Sequence, residues 1–239
     1  MKKVIIIGAS TGIGKALAYE FSANGWQVGI TARRVDLLEK ICDDIGNGSI
    51  YKKMDVSNTT EAMKTAQDLI DEMNGCDVFV ISSAIGPLNP FLRWKRTEDT
   101  IDINVKGFAA MANVAFRYFR RCRKGQLVGI SSTAALRGTG ISPDYHASKA
   151  FMRNYLQSLR HQAFGMKLPI YVTEIMPGFV DTPLLKGIDR LVWVSPVDKA
   201  ARQIYKAIIR KKKHAYITKR WRIVAWFLKY CPDWIYHRV

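Results

Sequence analysis

Tyr145-His146-Ala147-Ser148-Lys149 places a phenol and an ammonium four positions apart. On a helix, that spacing puts both side chains on one face. A tyrosine hydroxyl titrates near about 10, so alone it is a poor base at neutral pH. An adjacent ammonium stabilises the phenolate and lowers that value. Tuned in this way, Tyr145 can give a proton to a carbonyl oxygen or take one from an alcohol. An ordinary amphipathic helix can carry the same pair, so its weight depends on what accompanies it. A second set of residues could hold phosphate. Gly8-Ala9-Ser10-Thr11-Gly12-Ile13-Gly14 follows the β-branched run Val4-Ile5-Ile6-Ile7 and opens a helical stretch. Glycines there allow a tight turn and close backbone approach, and a helix N-terminus offers N–H groups and a positive dipole end to a pyrophosphate. A Gly-rich turn without ligand is the plain alternative.

These residues need a scaffold, and the chain's patterning supplies one. Short β-branched runs alternate with helical stretches. Strands are expected at Val4–Ile7, Gln27–Thr31, Ser49–Met54, Asp77–Ile81, Gln126–Ser131, Ile170–Ile175 and His214–Ile217. Helices are expected at Gly12–Asn24, Val35–Ile45, Thr59–Met73, Glu98–Arg121, Asp144–Phe164 and Val197–Lys211, with Asp55 to Asn58 supplying turn and cap chemistry. Near-continuous apolar strands separated by helices imply an α/β fold with a parallel sheet covered on both faces. The expectation is a Rossmann-type, doubly wound sheet of about seven strands. Neither an internal repeat nor a linker stands out, so 1–239 reads as one domain, with 219–239 as its basic amphipathic extension.

The second strand decides between cofactors. NAD-preferring sites often carry an acidic residue at its end, for the ribose 2′-OH. Here Thr31 is followed by Ala32-Arg33-Arg34, and the first carboxylate is Asp36. Two adjacent guanidiniums suit a 2′-phosphate, which points to NADP(H) over NAD(H). A solvated basic pair is the alternative.

Taken together, the GxxxGxG spacing of the loop and the YxxxK pair resemble the short-chain dehydrogenase/reductase family, over about residues 3–217. The resemblance implies a set of roles. Ser132, thirteen residues before Tyr145, would polarise a substrate carbonyl, and Lys149 would hold the nicotinamide ribose. Asn104, within Ile103-Asn104-Val105, matches the family's fourth catalytic residue, whose backbone carbonyl helps bind a water linking Lys to solvent. Asp55-Val56 matches the adenine-contacting pair. Pro177-Gly178-Phe179-Val180-Asp181-Thr182 matches the segment that closes over the nicotinamide half, with Val180 at the carboxamide and Thr182 at the carboxamide or pyrophosphate. The implied activity is reversible hydride transfer between nicotinamide and a ketone or secondary alcohol. The implied partners are a small-molecule carbonyl or alcohol and a second copy of the chain in a homo-oligomer. Two places depart from the family pattern. Ile7 replaces the usual Thr before the first Gly, and Ser82-Ser83-Ala84-Ile85 replaces Asn-Asn-Ala-Gly after the fourth strand. The two changes can be coupled, apolar packing replacing one hydrogen-bonded link. Ser83 and Ala84 are still expected to face the cofactor.

The chain has 239 residues, with 48% hydrophobic and 24% charged, which excludes disorder and collagen-like repeats. Its 37 Lys and Arg against 20 Asp and Glu give a net charge of +17. That surplus suggests nucleic acid, an anionic membrane or a phosphate-rich ligand. From Lys199 to Pro232 there are 11 Lys or Arg and no Asp or Glu. Within this stretch, residues 219–230 form a Trp-rich amphipathic pattern with Trp221, Val224, Ala225 and Leu228 on one side. Its apolar face can cover the core or a partner subunit, or the segment can lie on a membrane. Nucleic acid is the least favoured partner, since no recognition motif accompanies the charge. Cys42, Cys76, Cys122 and Cys231 are widely spaced without a CxxC pair, which fits reduced thiols in a cytoplasmic chain, peripherally membrane-associated if the C-terminal segment binds lipid. Neither the cysteines nor the four histidines make a metal set. The apolar run Val4–Ile7 is shorter than the roughly 7–15 residues of a secretory signal, and no run approaches the about 20 of a transmembrane helix.

Two readings therefore stand: an NADP(H)-dependent oxidoreductase on an apolar or lipid-like carbonyl, and a non-catalytic NADP(H)-binding regulator on the same fold. The substrate pocket is expected from about 136–144 and 184–194 together with the C-terminal segment, and Leu136, Ile141, Leu184, Leu185, Leu191, Val192 and Trp193 suggest that it is largely apolar.

Overall fold

A computed structural model describes residues 1–185 and 191–236. Seven strands form one parallel sheet: β1 (Lys3–Ile7), β2 (Gln27–Ala32), β3 (Ile50–Lys53), β4 (Val78–Ile81), β5 (Gly125–Ile130), β6 (Ile170–Pro177) and β7 (His214–Ile217). Their order is β3-β2-β1-β4-β5-β6-β7. The order reverses between β1 and β4, and such a reversal opens a crevice beyond the C-terminal strand ends.

Strand alternation builds the two layers. Val4 and Ile6 of β1 face one core with Leu17, Phe21, Leu38 and Ile204, from the helices α1 (Gly12–Ala23), α2 (Val35–Ile45) and α7 (Val197–Ile209). Ile5 and Ile7 face the other core, with Leu69, Phe108, Phe119 and Leu156. That side is covered by α3 (Thr59–Glu72), α5 (Phe108–Cys122) and α6 (Pro143–Gly165). Because both faces are buried, a strand such as Val4–Ile7, all of it inaccessible to solvent, can be apolar throughout. The cap expected before α3 is present: Asn58 Oδ1 accepts from the Glu61 N–H and its amide donates to the Glu61 carboxylate.

The long helix expected from Glu98 differs. It begins at Trp94 as α4 (Trp94–Thr100), passes through a π-helical turn at Ile101–Gly107, and continues as α5. π-helical turns interrupt the ordinary ladder and frequently mark functional sites. This one carries the buried Asn104. Its last residue, Gly107, passes so close to β3's exit that a Cβ there would lie 2.7 Å from the Val56 carbonyl. At the C-terminus, α8 (Trp221–Tyr230) and the short α9 (Asp233–Tyr236) follow β7. Residues 237–239 of the expected extension lie outside the described residues, as do 186–190 of the expected pocket. Among the described residues, no helix is long and apolar enough to cross a membrane, and no group of three or more His, Cys, Asp or Glu could hold a metal ion.

Candidate active site

A cleft of about 1060 Å³ runs across the C-terminal strand ends. At one end lie Gly8, Ser10, Thr11, Gly12 and Ile13 with Arg33, Arg34, Asp55 and Val56. Ser83 and Ala84 form its flank. In the middle lie Ser132, Tyr145 and Lys149, facing Pro177, Gly178, Val180 and Thr182. Two expected residues do not reach it. Gly14 is buried in the turn, where a Cβ would sit 2.1 Å from the Gly8 carbonyl oxygen, so its part is to let α1 pack against the loop. Asn104 is fully buried.

The loop end is shaped by missing side chains. Gly8 has φ +85°, and a Cβ on it would lie 2.6 Å from the Ser83 backbone. Gly12 has φ +59° and opens α1. No side chain caps that helix N-terminus, so its positive end faces the cleft. Ile7, in the place of the family's Thr, sits in the apolar core, and the link to β4's exit is made by backbone, with the Ser82 N–H donating to the Ile7 carbonyl at 2.9 Å. The Ile85 backbone is gripped on both sides. Asn104 Oδ1 accepts its N–H at 2.9 Å, and Asn104 Nδ2 donates to its carbonyl at 2.8 Å and to Ser148 Oγ at 3.0 Å. The segment after β4 is thus tied to α6 by a side chain. Gly86 follows, and a Cβ there would come within 3.1 Å of the Tyr145 ring.

Arg34 reaches back over the loop, its guanidinium donating to Ser10 Oγ at 3.0 Å and Thr11 Oγ1 at 3.2 Å. Burial would raise the Asp55 carboxyl, but hydrogen bonds from the Ser57 N–H and hydroxyl, with Arg33 nearby, hold it below the usual range. The residues present fit a phosphate-bearing dinucleotide. Ser83 Oγ is buried with no partner of its own, the glycine cradle leaves room for backbone approach, and two guanidiniums stand at the far end.

The middle of the cleft is set by β5 and α6. Ser142 and Pro143 begin α6, Pro at the position where its lost N–H costs nothing. The Asp144 carboxylate accepts from Asn89 Nδ2 at 2.5 Å and Thr97 Oγ1 at 3.0 Å, fixing the first turn of α6 to the segment before it. Ser132 Oγ accepts from the Ala134 N–H at 3.1 Å and donates to the Pro177 carbonyl at 3.4 Å. Lys149 Nζ donates to the Ile130 carbonyl at 3.1 Å and lies 5.5 Å from the centre of the Tyr145 ring. Lys149 is nearly inaccessible, and burial pushes its ammonium down to about 7. Burial raises the Tyr145 hydroxyl, and the Ser132 hydroxyl beside it acts in the opposite direction. The expected lowering of Tyr145 by Lys149 is not what this arrangement gives. Desolvation dominates both groups and moves their proton affinities apart, the phenol upward and the ammonium downward, because burial disfavours the charged form of each.

The far end is apolar and differs from expectation. Ile141, Leu184 and Leu185 line it, but Leu136, Leu191, Val192 and Trp193 do not. Val192 and Trp193 stand 60% and 48% exposed, beyond a link in which the Ser195 N–H donates to the Phe179 carbonyl. Phe179 lines the far end too, and the C-terminal segment contributes as expected, through Trp221, Leu228 and Tyr236. Trp221 stacks edge-on to Phe179 and fills the space at Gly178, where a Cβ would lie 2.0 Å from the indole. Arg137 fastens this C-terminal segment. Its guanidinium donates to the carbonyls of Leu228 and Cys231 and to the Asp233 carboxylate, and lies 4.4 Å from the centre of the Tyr236 ring. The Tyr236 hydroxyl donates to the Gly138 carbonyl at 2.8 Å. His146 holds the same loop from below: its Nδ1 lies 2.6 Å from the Arg137 carbonyl and its Nε2 3.0 Å from Thr139 Oγ1. The C-terminal segment thus joins the pocket as expected, but its fastening by Arg137 escapes sequence reasoning, since no local pattern marks an arginine whose partners lie more than 90 positions away.

This arrangement has known counterparts. Residues 2–191 match the family model described as short chain dehydrogenase. The chain belongs to the short-chain dehydrogenase family. Within it, the chain is 29% identical to the 11-beta-hydroxysteroid dehydrogenase A of Sesamum indicum, over 98% of this chain and 74% of that one. It is 31% identical to an uncharacterized oxidoreductase of Myxococcus xanthus, over 77% of this chain and 74% of that one. The fold is shared with an alcohol dehydrogenase from the archaeon Thermococcus sibiricus, complexed with 5-hydroxy-NADP: TM-score 0.78, 21% identity, 91% of this chain and 96% of that one. The protein is an oxidoreductase of this family, built to take a nicotinamide cofactor and a small-molecule substrate.

Proposed function

We propose that the chain is an NADP(H)-dependent oxidoreductase that interconverts a ketone and a secondary alcohol on an apolar or lipid-like substrate. One observation carries this reading: Ser132, Tyr145 and Lys149 meet in the middle of a cleft whose two ends differ, Gly8–Ile13 with Arg33 and Arg34 at one, Ile141, Leu184 and Leu228 at the other. The intact set favours catalysis over a purely regulatory nucleotide-binding role. The neighbour solved with 5-hydroxy-NADP, and the sesame relative named for a hydroxysteroid, are in keeping with both halves of the reading.

Gly8, Ser10, Thr11, Gly12 and Ile13 would hold the pyrophosphate and Arg33 and Arg34 the 2′-phosphate. Asp55 and Val56 would meet the adenine, Ser83 and Ala84 the adjoining ribose, and Pro177, Gly178, Val180 and Thr182 the nicotinamide end. When bound, the nicotinamide supplies or accepts the hydride. The chain's own residues position the substrate and move the proton. The Ser132 hydroxyl donates to the substrate oxygen and fixes its direction. The Tyr145 hydroxyl gives its proton to that oxygen in reduction and takes it back in oxidation. Lys149, poised at about 7, can change protonation in the working range and so replenish that proton. Asn104 acts at one remove, keeping Ile85 and Ser148 in register with Tyr145. The same reading puts the chain in a reducing, cytoplasmic compartment, in keeping with four free cysteines, and in a homo-oligomer, as is usual in the family.

Protein fluorescence titrated with NADPH and NADH tests the reading. Tighter binding of NADPH, followed by NADPH oxidation with a member of a panel of ketones and quinones, is the expected outcome. Binding of neither nucleotide overturns it.

A further inference from the structure

The outer face of α8 is unlike the rest of the surface. Trp221 and Ala225 are buried and Leu228 lines the cleft, whereas Ile223, Trp226 and Tyr230 on the opposite side are 71%, 65% and 60% exposed. At about 100° per residue these three fall on one stripe, and Arg222 and Lys229 fall together along one of its borders. The stripe edges a shallow groove of about 400 Å³, completed by Tyr216 of the edge strand β7. Large aromatic and aliphatic side chains exposed side by side mark an interaction surface.

The charge around the stripe selects the partner. No carboxylate lies between Lys199 and Pro232, against 11 cations. A two-fold contact between copies through this face would set Arg222 and Lys229 against the same cations of the other copy, with no acidic side chain of the stretch to offset them. A bilayer rich in anionic lipid meets both needs. Its headgroups pair with the cations, and its interface accepts Trp, Tyr and Ile to a depth of about 5–10 Å. We propose that α8 docks the protein on an anionic membrane surface, Ile223, Trp226 and Tyr230 entering the interface and Arg222 and Lys229 meeting the headgroups. Because Trp221 and Leu228 on the inner side line the cleft, the cleft and the lipid are separated by the thickness of one helix, about 10 Å. The docking does not depend on the cofactor reading, and its test does not use activity.

Co-sedimentation of the full chain with vesicles is that test. One set is phosphatidylcholine alone, the other phosphatidylcholine with about one-third phosphatidylserine, each at low and high salt. The chain is expected to pellet with the anionic vesicles at least tenfold more than with the neutral ones, and less at high salt. Arg222→Glu/Lys229→Glu and Trp226→Ser/Tyr230→Ser, each confirmed folded by its thermal circular-dichroism transition, are expected to lower the bound fraction at least tenfold. Equal sedimentation with both vesicle types, or variants that bind like the wild type, would overturn the proposal. So would light scattering that shows Trp226→Ser/Tyr230→Ser converting an oligomer to monomers, which would make the face a subunit contact.

Discussion

The two ends of the cleft are built by opposite means. At the nucleotide end the shape comes from backbone and from side chains that are missing: Gly8 passes Ser83 with no room for a Cβ, Gly14 packs on the Gly8 carbonyl, and neighbouring strands hold the loop through their own ladder. At the substrate end the shape comes from long side chains spanning the chain. Arg137 gathers Leu228, Cys231, Asp233 and Tyr236, and Trp221 fills the hollow at Gly178. A backbone-made site tolerates little change, because any added atom strikes a strand. A side-chain-made site can be retuned one residue at a time. The first end therefore leaves little to vary, and the second can be adjusted without disturbing the first.

Substitutions at the two ends should separate accordingly. Between the two ends, the larger effect is expected at Gly8. Gly8→Val puts a branched side chain where even a Cβ lies 2.6 Å from backbone, at φ +85°. NADPH affinity should fall by about 100-fold or more, read by fluorescence titration, or the protein should lose stability outright. Arg137→Met is the matching change at the other end. It removes three hydrogen-bonding contacts to the C-terminal segment but nothing from the nucleotide end. KM for an apolar ketone should rise about tenfold, with the NADPH dissociation constant within about twofold of wild type, since about 1.4 kcal/mol is tenfold. An equal loss at both ends would break the comparison. Arg33→Ser/Arg34→Ser should weaken NADPH about tenfold and leave NADH nearly unchanged; a parallel loss of both would show that the pair supports the loop rather than the 2′-phosphate.

The smallest effect concerns Lys149 and stability. Its folded value, about 7, lies below the ordinary 10.5. The unfolded chain therefore holds more protons between those limits, and stability should rise as pH rises from about 7 towards 10.5. Below about 7 both states are protonated and the burial cost stands in full. Lys149→Met should then be a few degrees more stable than wild type at pH 7, with the gap narrowing as pH rises, although inactive. A gap that widens with pH would contradict the burial of the ammonium.

The same contrast explains what could be read from the sequence. Strand order, layers and the Gly8–Gly14 loop follow from local pattern: four consecutive apolar residues, then a turn that only glycine can make. Tyr145 and Lys149 declare themselves because i, i+4 on a helix is a local relation. Asn104 was reached through resemblance, but its grip on Ile85 and Ser148 depends on a π-helical turn that no periodicity announces. Arg137 and Tyr236 fall in stretches expected to wall the pocket, but the contacts they make are not legible, because these close loops of more than 90 residues. Hydrophobicity alone suggests Val192 and Trp193 for the pocket, whereas the chain turns them outward and fills it from the expected C-terminal segment, with Trp221 and Leu228 of α8. The lowered lysine was likewise hidden, since spacing gives proximity to Tyr145 but not the degree of burial.

The central claim is that Tyr145 handles the proton in a cleft already competent to bind NADPH. Tyr145→Phe keeps the ring and removes one hydroxyl. Measured beside wild type, with NADPH oxidation followed by absorbance on an apolar ketone, its kcat should fall about 1000-fold. Its NADPH affinity, from fluorescence titration, should stay within about twofold. A variant that turns over like the wild type would contradict the account.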